Sequence, residues 1–371
     1  VLRTNEGNLF FSPYSISSAL SMTYAGARGK TEKQMADTLR YRLSQESLHP
    51  AFNALDIQLN QRDDEEENRF ELNIANAIWG QKGYPFLQSY LDLLAEQYGA
   101  GLRITNFAEK PEESRITIND WVSQQTEDKI NDLIPPRMIS DLTRLVLTNA
   151  IYFYAEWEHP FDNRKTYDGT FYLLNGGNVT VPMMYRRGSY GYVGNPPFRD
   201  KQKRTVEYTG SEEGYLAVEL PYKGDEISMV IIMPNPGRFN EIERILDADM
   251  VNDIVSNISG ESMFLSVPKF DFESAFNLKD SLIELGMKDA FTNADFSGMT
   301  GKRDLSISNV VHQAFVSVDE QGTEAAAATA VVMEIVSLIP SLVLDHPFIF
   351  LIRDIPTSTI LFIGRVVNPA N

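Results

Sequence analysis

The 371-residue sequence predicts an α+β fold in a single domain, 1–371, built from several sheets rather than one doubly wound sheet. Three observations carry that expectation. Segments with the two-residue alternation of strands and segments with helical spacing follow one another without a regular β-α-β order. Apolar segments recur from end to end, with no Gly/Ser- or Pro-rich linker between them. One of them, Leu145 to Phe153, is almost unbroken, as a strand buried on both faces should be.

Taken in order, Ser12-Pro13 opens a helix whose Ile16, Leu20 and Tyr24 lie near helical spacing, with Gly26 ending it. Thr31 and Gln34 read as a capping box for a second helix through Leu39. Phe70 to Trp79 alternates as a strand, and Ile116 to Ile130 reads as an amphipathic helix around Trp121. Tyr215 to Leu220 and Ile227 to Met233 are two strands joined by a turn over Pro221 to Asp225. Met263 to Val267 is a further strand, and Leu278 to Leu285 a helix closed by Gly286. Val310 to Val318, Phe348 to Ile352 and Thr359 to Val366 complete the strands.

Composition narrows the function. The formal net charge is −18, which disfavours nucleic acid or an anionic membrane as the main partner. No apolar run reaches the ~18 residues of a transmembrane helix. There is no cysteine, so disulfides, thiolate metal sites and thiol nucleophiles are excluded. The chain starts at Val1 without a signal peptide and reads as a trimmed or mature form, with a secreted or extracellular place of action expected. Asn178-Val179-Thr180 and Asn257-Ile258-Ser259 fit the glycosylation pattern but are expected to be unused.

Enzymatic motifs fail one by one. Gly29-Lys30-Thr31 ends like a phosphate loop, yet position 24, where that loop needs glycine, is Tyr. There is no Gly-x-Ser-x-Gly elbow and no His-Glu-x-x-His pair. None of the four histidines belongs to a cluster of ligands at metal-binding spacing; His346 lies beside Asp345, and that pair reads as a turn. No catalytic residue, metal site or cofactor is therefore expected. A Ser-His-Asp triad drawn from distant positions leaves no local trace, so a hydrolase stands as a third reading.

The most informative stretch is 320–341, EQGTEAAAATAVVMEIVSLIPS. Thr323, Ala325, Ala327, Thr329, Val331 and Met333 share one parity and are all uncharged, while Glu324 and Glu334 share the other. In a strand this would bury one face and solvate the other. Ala325, Ala326, Ala327 and Ala328 are also strong helix formers, so the segment suits more than one conformation. Gly322 supplies backbone freedom at the start.

Several motifs resemble the serpin family, over nearly the whole chain. They are Asn8-Leu9-Phe10-Phe11-Ser12-Pro13, Asn149-Ala150-Ile151-Tyr152-Phe153 followed by Trp157-Glu158-His159-Pro160-Phe161, and Leu220-Pro221-Tyr222-Lys223-Gly224. Asp319-Glu320-Gln321-Gly322-Thr323-Glu324-Ala325-Ala326 resembles the hinge of inhibitory members, and Asp345-His346-Pro347-Phe348-Ile349-Phe350 the C-terminal signature. The resemblance implies three β-sheets, eight or nine helices and an exposed reactive loop, here about 320–341. It implies a serine protease as covalent partner, held by a loop that inserts into the main sheet after attack. The form expected is a monomer, with loop-sheet polymers accessible to it.

Residue by residue, the resemblance places the hinge at Glu320, Gly322, Thr323 and Ala325 to Ala328. The family's spacing puts the reactive bond at Val336-Ser337, and Val points to an elastase-like target; bonds after Met333 or Ile335 stay open as chymotrypsin-like alternatives. His312 and Asn149 match a strand pair over a helix carrying Ser12 and Ser15, a latch on the sheet, with Trp157 at the upper mouth of the opening. The alternative for these five is plain polar packing. Some members bind heparin through a basic helix near 60–70, but here Arg62 precedes five acids, so no such activation is expected. Residues 186–214, with Asn195-Pro196-Pro197 and Arg199, Lys201, Lys203 and Arg204, are longer than the family pattern and read as a surface loop insertion, or alternatively an exosite. A non-inhibitory carrier, chaperone or storage member is the second reading; its hinge would be bulky, charged or proline-bearing, and this one is not.

Overall fold

A computed structural model describes residues 2–4, 6–61, 70–99, 101–194, 214–323 and 340–370. After β1 (Leu9–Phe11) come α1 (Pro13–Tyr24), α2 (Gly29–Leu39) and α3 (Gln45–Asn60). Then follow β2 (Phe70–Gln81), α4 (Gln88–Tyr98), β3 (Arg103–Thr105), α5 (Pro111–Gln125) and β4 (Leu145–Glu156). β5 (Tyr167–Tyr172), β6 (Asn178–Val193), β7 (Tyr215–Pro221) and β8 (Ile227–Pro234) lead to α6 (Phe239–Ile245) and α7 (Ala248–Ser256). The chain continues through β9 (Ser259–Pro268), β10 (Phe270–Asn277), α8 (Lys279–Glu284), α9 (Ser297–Thr300) and β11 (Asn309–Val318). It ends with β12 (Gly322–Thr323), β13 (Ser341–Val343), β14 (Phe348–Asp354) and β15 (Ile360–Val366).

The class is α+β, with nine α-helices among the described residues. Six strands form one sheet in the order β10-β11-β12-β4-β2-β3. The other nine form a second network, β1-β15-β14-β8-β7-β6-β9-β13, with β5 also on β6. β6 belongs to two groups within it: it pairs with β5 and β9 along most of its length and with β7 only over Gly191 to Val193. Cut at β6, the network is two sheets, which with the six-stranded one makes the expected three.

Strand parity explains how the layers meet. Met229, Ile231 and Met233 of β8 enter the core shared with the six-stranded sheet, while Val230 and Ile232 pack beneath Phe239, Ile242, Val251 and Ile254 of α6 and α7. A strand covered on both faces needs an unbroken apolar run, and Ile227 to Met233 supplies one. α5 covers the outer face of the six-stranded sheet, with Ile118 and Val122 on Ala75, Ala77, Val146, Ala150 and Val311.

Some local expectations need correction. Thr31 does not cap α2, which starts two residues earlier after Arg28. Its hydroxyl instead accepts from the Asp295 amide at 2.9 Å, and Gln34 accepts from Asp289 N at 2.8 Å, so both tie α2 to the segment after α8. α5 runs 111–125 rather than 116–130: Pro111 opens it with Glu112 and Glu113 in the first turn, where the helix dipole favours acids. Glu127 and Asp128 take left-handed φ angles of 50° and 61° and stop it early. Residues 186–193, expected within a loop insertion, are strand, paired with β9 as far as Tyr192 opposite Ser259. The basic group from Arg199 to Arg204 lies outside the described residues.

Candidate functional site at a parallel seam

β4 and β11 run side by side in the same direction. Over their first halves they pair directly, from Asn309 opposite Val146 to Ala314 opposite Ile151. Further along, β12 lies between them, antiparallel to both. Thr323 stands opposite Val318 on one side and Ala155 on the other, and Gly322 opposite Glu156. Parallel neighbours are not joined by a hairpin, so these two can part without breaking a turn.

A tight turn delivers β12 to this place. Asp319 accepts from the amides of Gln321 (2.9 Å) and Gly322 (3.3 Å) through Oδ1, and its own amide donates to Gly322 O at 2.9 Å. This is the local bonding that suits Asp to turns. The Trp157 amide donates to Gln321 O (2.7 Å), its indole N–H to Asp319 O (3.0 Å), and the Phe161 amide to Glu320 O (2.7 Å). The Glu320 carboxylate accepts from the Thr166 hydroxyl at 2.6 Å and the Lys269 ammonium at 2.7 Å. Burial pushes its pKa up, but those two donors outweigh burial and hold it below the usual range. Burial pushes the neighbouring Asp319 carboxyl up.

Beneath the turn, the Trp157 ring stacks on Tyr222 at 4.6 Å, and the Tyr222 hydroxyl meets that of Thr323 at 2.8 Å. Burial raises the Tyr222 pKa, so the phenol stays neutral. Gly322 is needed here for a different reason than freedom at a pivot. A Cβ on it would lie 2.0 Å from Ala155 O and 2.7 Å from the Glu156 Cα, both backbone, so no side chain fits.

Where β4 and β11 touch directly, a second polar cluster spans them. His312 stands opposite Asn149, and its Nδ1 bonds to Asn149 Oδ1. The Ser12 amide donates to His312 Nε2 at 3.3 Å. An amide only donates, so Nε2 is bare and the single ring proton sits on Nδ1, directed at Asn149. The ring is wholly buried, and burial lowers its pKa to about 3. Asn149 also donates to Ser15 Oγ at 2.5 Å and to Asn76 Oδ1. The Ser12 hydroxyl caps α1 by accepting from Ser15 N (3.0 Å) and donates to Leu361 O (2.6 Å). One cluster thus binds β2, β4, β11, α1 and β15.

The expected site residues therefore fall into two groups on one seam. Glu320, Gly322, Thr323 and Trp157 meet at its open end, and Ser12, Ser15, Asn149 and His312 at its closed end. Ala325 to Ala328, Glu324, Val336 and Ser337 lie outside the described residues. Sequence reasoning missed Asn76, Tyr222, Lys269 and Thr166. Asn76 had a signal, for it interrupts the apolar parity of Leu72, Ile74 and Ile78 in β2; Lys269 and Thr166 had none. Among the described residues no group of three or more His, Asp or Glu is placed to hold a metal, and no helix is long and apolar enough to cross a membrane.

The serpin (serine protease inhibitor) family profile matches residues 1–369. This chain belongs to the serpin family. Leukocyte elastase inhibitor of Bos taurus is 39% identical over 98% of this chain and 93% of its own length. An uncharacterized serpin-like protein of Thermococcus kodakarensis is 39% identical over 99% of this chain and 82% of its own. Among solved structures, human thyroxine-binding globulin complexed with thyroxine superposes with a TM-score of 0.86 at 30% identity, over 99% of this chain and 94% of the other. Serpins as a family are protease inhibitors rather than enzymes, and the elastase inhibitor relative supports that class of function here.

Proposed function

We propose that this serpin inhibits a serine protease as a single-use suicide substrate, offering residues 320–341 as bait within one domain. The observation that carries the reading is the seat of Gly322 and Thr323 between two parallel strands, where the next residues would extend the same strand. In the proposed sequence of events the protease serine oxygen attacks the Val336 carbonyl carbon. The bond to the Ser337 nitrogen breaks, and that nitrogen takes a proton from the protease's own acid–base group. The acyl ester holds while the freed segment inserts between β11 and β4 and carries the protease with it.

Thr323 is buried against Tyr222. By parity Ala325, Ala327, Thr329, Val331 and Met333 follow it inward, small first and larger later, while Glu324 and Glu334 stay on the other face. An antiparallel strand between two neighbours bonds to both. At about 0.5–1.5 kcal/mol net per ladder bond, roughly 14 residues yield on the order of 10–20 kcal/mol before ordering entropy. The trailing end moves about 45 Å at ~3.3 Å per residue. In this reading the His312–Asn149–Ser12–Ser15 cluster is the latch that sets how readily the seam opens, since insertion must separate His312 from Asn149.

Val336 and the likeness to a leukocyte elastase inhibitor support an elastase-like target. Heparin and nucleic acid are not part of the proposal. An extracellular place of action is, and fractionating the native source checks it. The deciding experiment mixes the protein with neutrophil elastase. An SDS-resistant adduct and release of the fragment 337–371 are expected, read by gel and intact mass. Another fragment mass moves the reactive bond; clean turnover with no adduct overturns the inhibitory reading.

The likeness to a thyroxine complex favours one rival, a carrier. An apolar cavity of about 400 Å³ lined by Leu2, Leu9, Phe11, Leu278, Leu282 and Ile363 would be its site. Saturable binding of a hydrophobic fluorophore there, with no adduct to any protease, would establish it.

A further inference from the structure

We propose that Asn175 is a site of spontaneous covalent modification, ageing to aspartate and isoaspartate with loss of ammonia, and that the isoaspartyl form loosens the hairpin that pins the chain after β13. Asn175-Gly176 is the only Asn-Gly pair in the sequence. It sits at the tip of the β5–β6 hairpin, where residues 174–178 are all exposed. The proposal is independent of the inhibitory reading.

The turn follows from its residues. Leu174, Asn175 and Gly176 form the loop, closed by Leu173 and Gly177. The Leu173 amide donates to Gly177 O at 2.8 Å and the Gly176 amide to Leu173 O at 3.0 Å. Gly176 has a φ of 83°, the left-handed position that three-residue hairpin loops give to glycine. The Asn175 side chain folds back on the main chain, its Oδ1 accepting from the Gly177 amide at 2.9 Å.

These contacts bear on the reaction in opposite senses. The nucleophile is the Gly176 nitrogen, which gives its proton to hydroxide and attacks Asn175 Cγ with no side chain of its own in the way. Negative charge then develops on Oδ1, where the Gly177 N–H is already directed, as an oxyanion donor should be. The Cγ–Nδ2 bond breaks, Nδ2 takes a proton from water and leaves as ammonia, and a succinimide ring remains. Water opens that ring at either carbonyl. Cleavage of the Cγ–N bond gives aspartate; cleavage of the bond from the main-chain carbon of residue 175 gives isoaspartate, whose backbone runs through Cβ and Cγ. Against this, the Gly176 N–H is held by Leu173 O, so attack waits for that bond to open. A hairpin tip of exposed residues opens locally at low cost.

The change reaches beyond the tip. Isoaspartate lengthens the main chain between Leu173 and Gly177 by a carbon, so the two closing bonds cannot both be kept. The next residue inward, Tyr172, donates its amide to Asp345 O at 2.8 Å and stacks its ring on His346 at 4.9 Å. Those two partners lie on the connection from β13 to β14, which the end of β5 therefore supports.

The test incubates the whole folded chain and follows it by isoelectric focusing and peptide mass mapping. An acidic form modified at 175 is expected, labelled by a protein isoaspartyl methyltransferase. It should form roughly tenfold faster per pH unit above neutrality, because the attacking nitrogen must be deprotonated. Asn175→Gln should lose this form and keep its unfolding midpoint, and the wild-type chain should react faster in urea, where no turn holds Gly176. In the aged sample the Tyr172 amide should exchange with solvent faster. No change at 175 while a urea-unfolded sample converts, or the same acidic form in Asn175→Gln, overturns the site. Equal rates with and without urea overturn the restraint assigned to the Leu173 bond, and unchanged exchange at Tyr172 overturns the loosening.

Discussion

The two ends of the β4–β11 seam are held by opposite means. At the open end a strand of two residues is already seated, fixed by main-chain bonds from Trp157 and Phe161 and by the stack of Trp157 on Tyr222. At the closed end the strands touch, and the contact is a desolvated polar cluster around a neutral histidine. Main-chain wedging depends on shape; a buried polar network depends on every partner being present, because each orphaned group costs about 1–3 kcal/mol. The open end should therefore be sensitive to size, and the closed end to chemistry.

The largest effect expected is from bulk at the wedge. Gly322→Val places carbon where Ala155 O already lies, so the wedge should be expelled and stoichiometric inhibition abolished, as elastase titration would show. Thr323→Arg forces an unpaired charge into the seam during insertion. It should turn the inhibitor into a substrate, cleaved at the same bond with no SDS-resistant adduct. Inhibition retained by both variants would remove the size rule from the open end.

At the closed end, His312→Ala leaves the Ser12 amide and Asn149 Oδ1 without partners. It should lower unfolding stability by about 2–5 kcal/mol and speed heat-induced polymerisation, measured by urea titration and native gels. The same histidine gives a pH signature. Its folded pKa of about 3 lies below the ordinary 6.5, so the unfolded chain takes up a proton that the folded chain refuses. Stability is full above pH 6.5 and falls toward pH 3, by about 1.4 kcal/mol per unit for each such group. His49, lowered to about 4 mainly by burial, adds to the slope. His312→Gln should remove only the His312 share, which unfolding midpoints at pH 7, 6 and 5 would resolve. Smallest is Lys269→Ala, which breaks a partly exposed ion pair with Glu320 and should change stability by about 0.2–1 kcal/mol.

Strands were the more legible part of this chain. β4, β7, β8 and β14 announce themselves because burial on both faces leaves apolar runs with little interruption, and β11 by its alternation. Helix ends were less so. Thr31 and Gln34 have the composition of a cap, yet tertiary partners at Asp289 and Asp295 claim both side chains. α3 carries Pro50 inside it, a residue that ordinarily argues against a helix. At the candidate site, motif resemblance paired His312 with Asn149, but the parallel register that sets them opposite each other has no local trace in the sequence. Glu320 gave no hint of Lys269 and Thr166, because their meeting depends on three separate strands and turns being assembled first.

His312 and Asn149 are 163 positions apart in the chain. Contacts of such long range form slowly, after loop-closure entropy has been met. During synthesis β4 emerges long before β11 exists, and its edge waits in the newborn polypeptide until the intervening residues have been added. The yield of functional molecules is thereby decided at the ribosome and by the helpers around it, and a weakened latch should show first as insoluble product in the expressing cell, before any purified sample is heated.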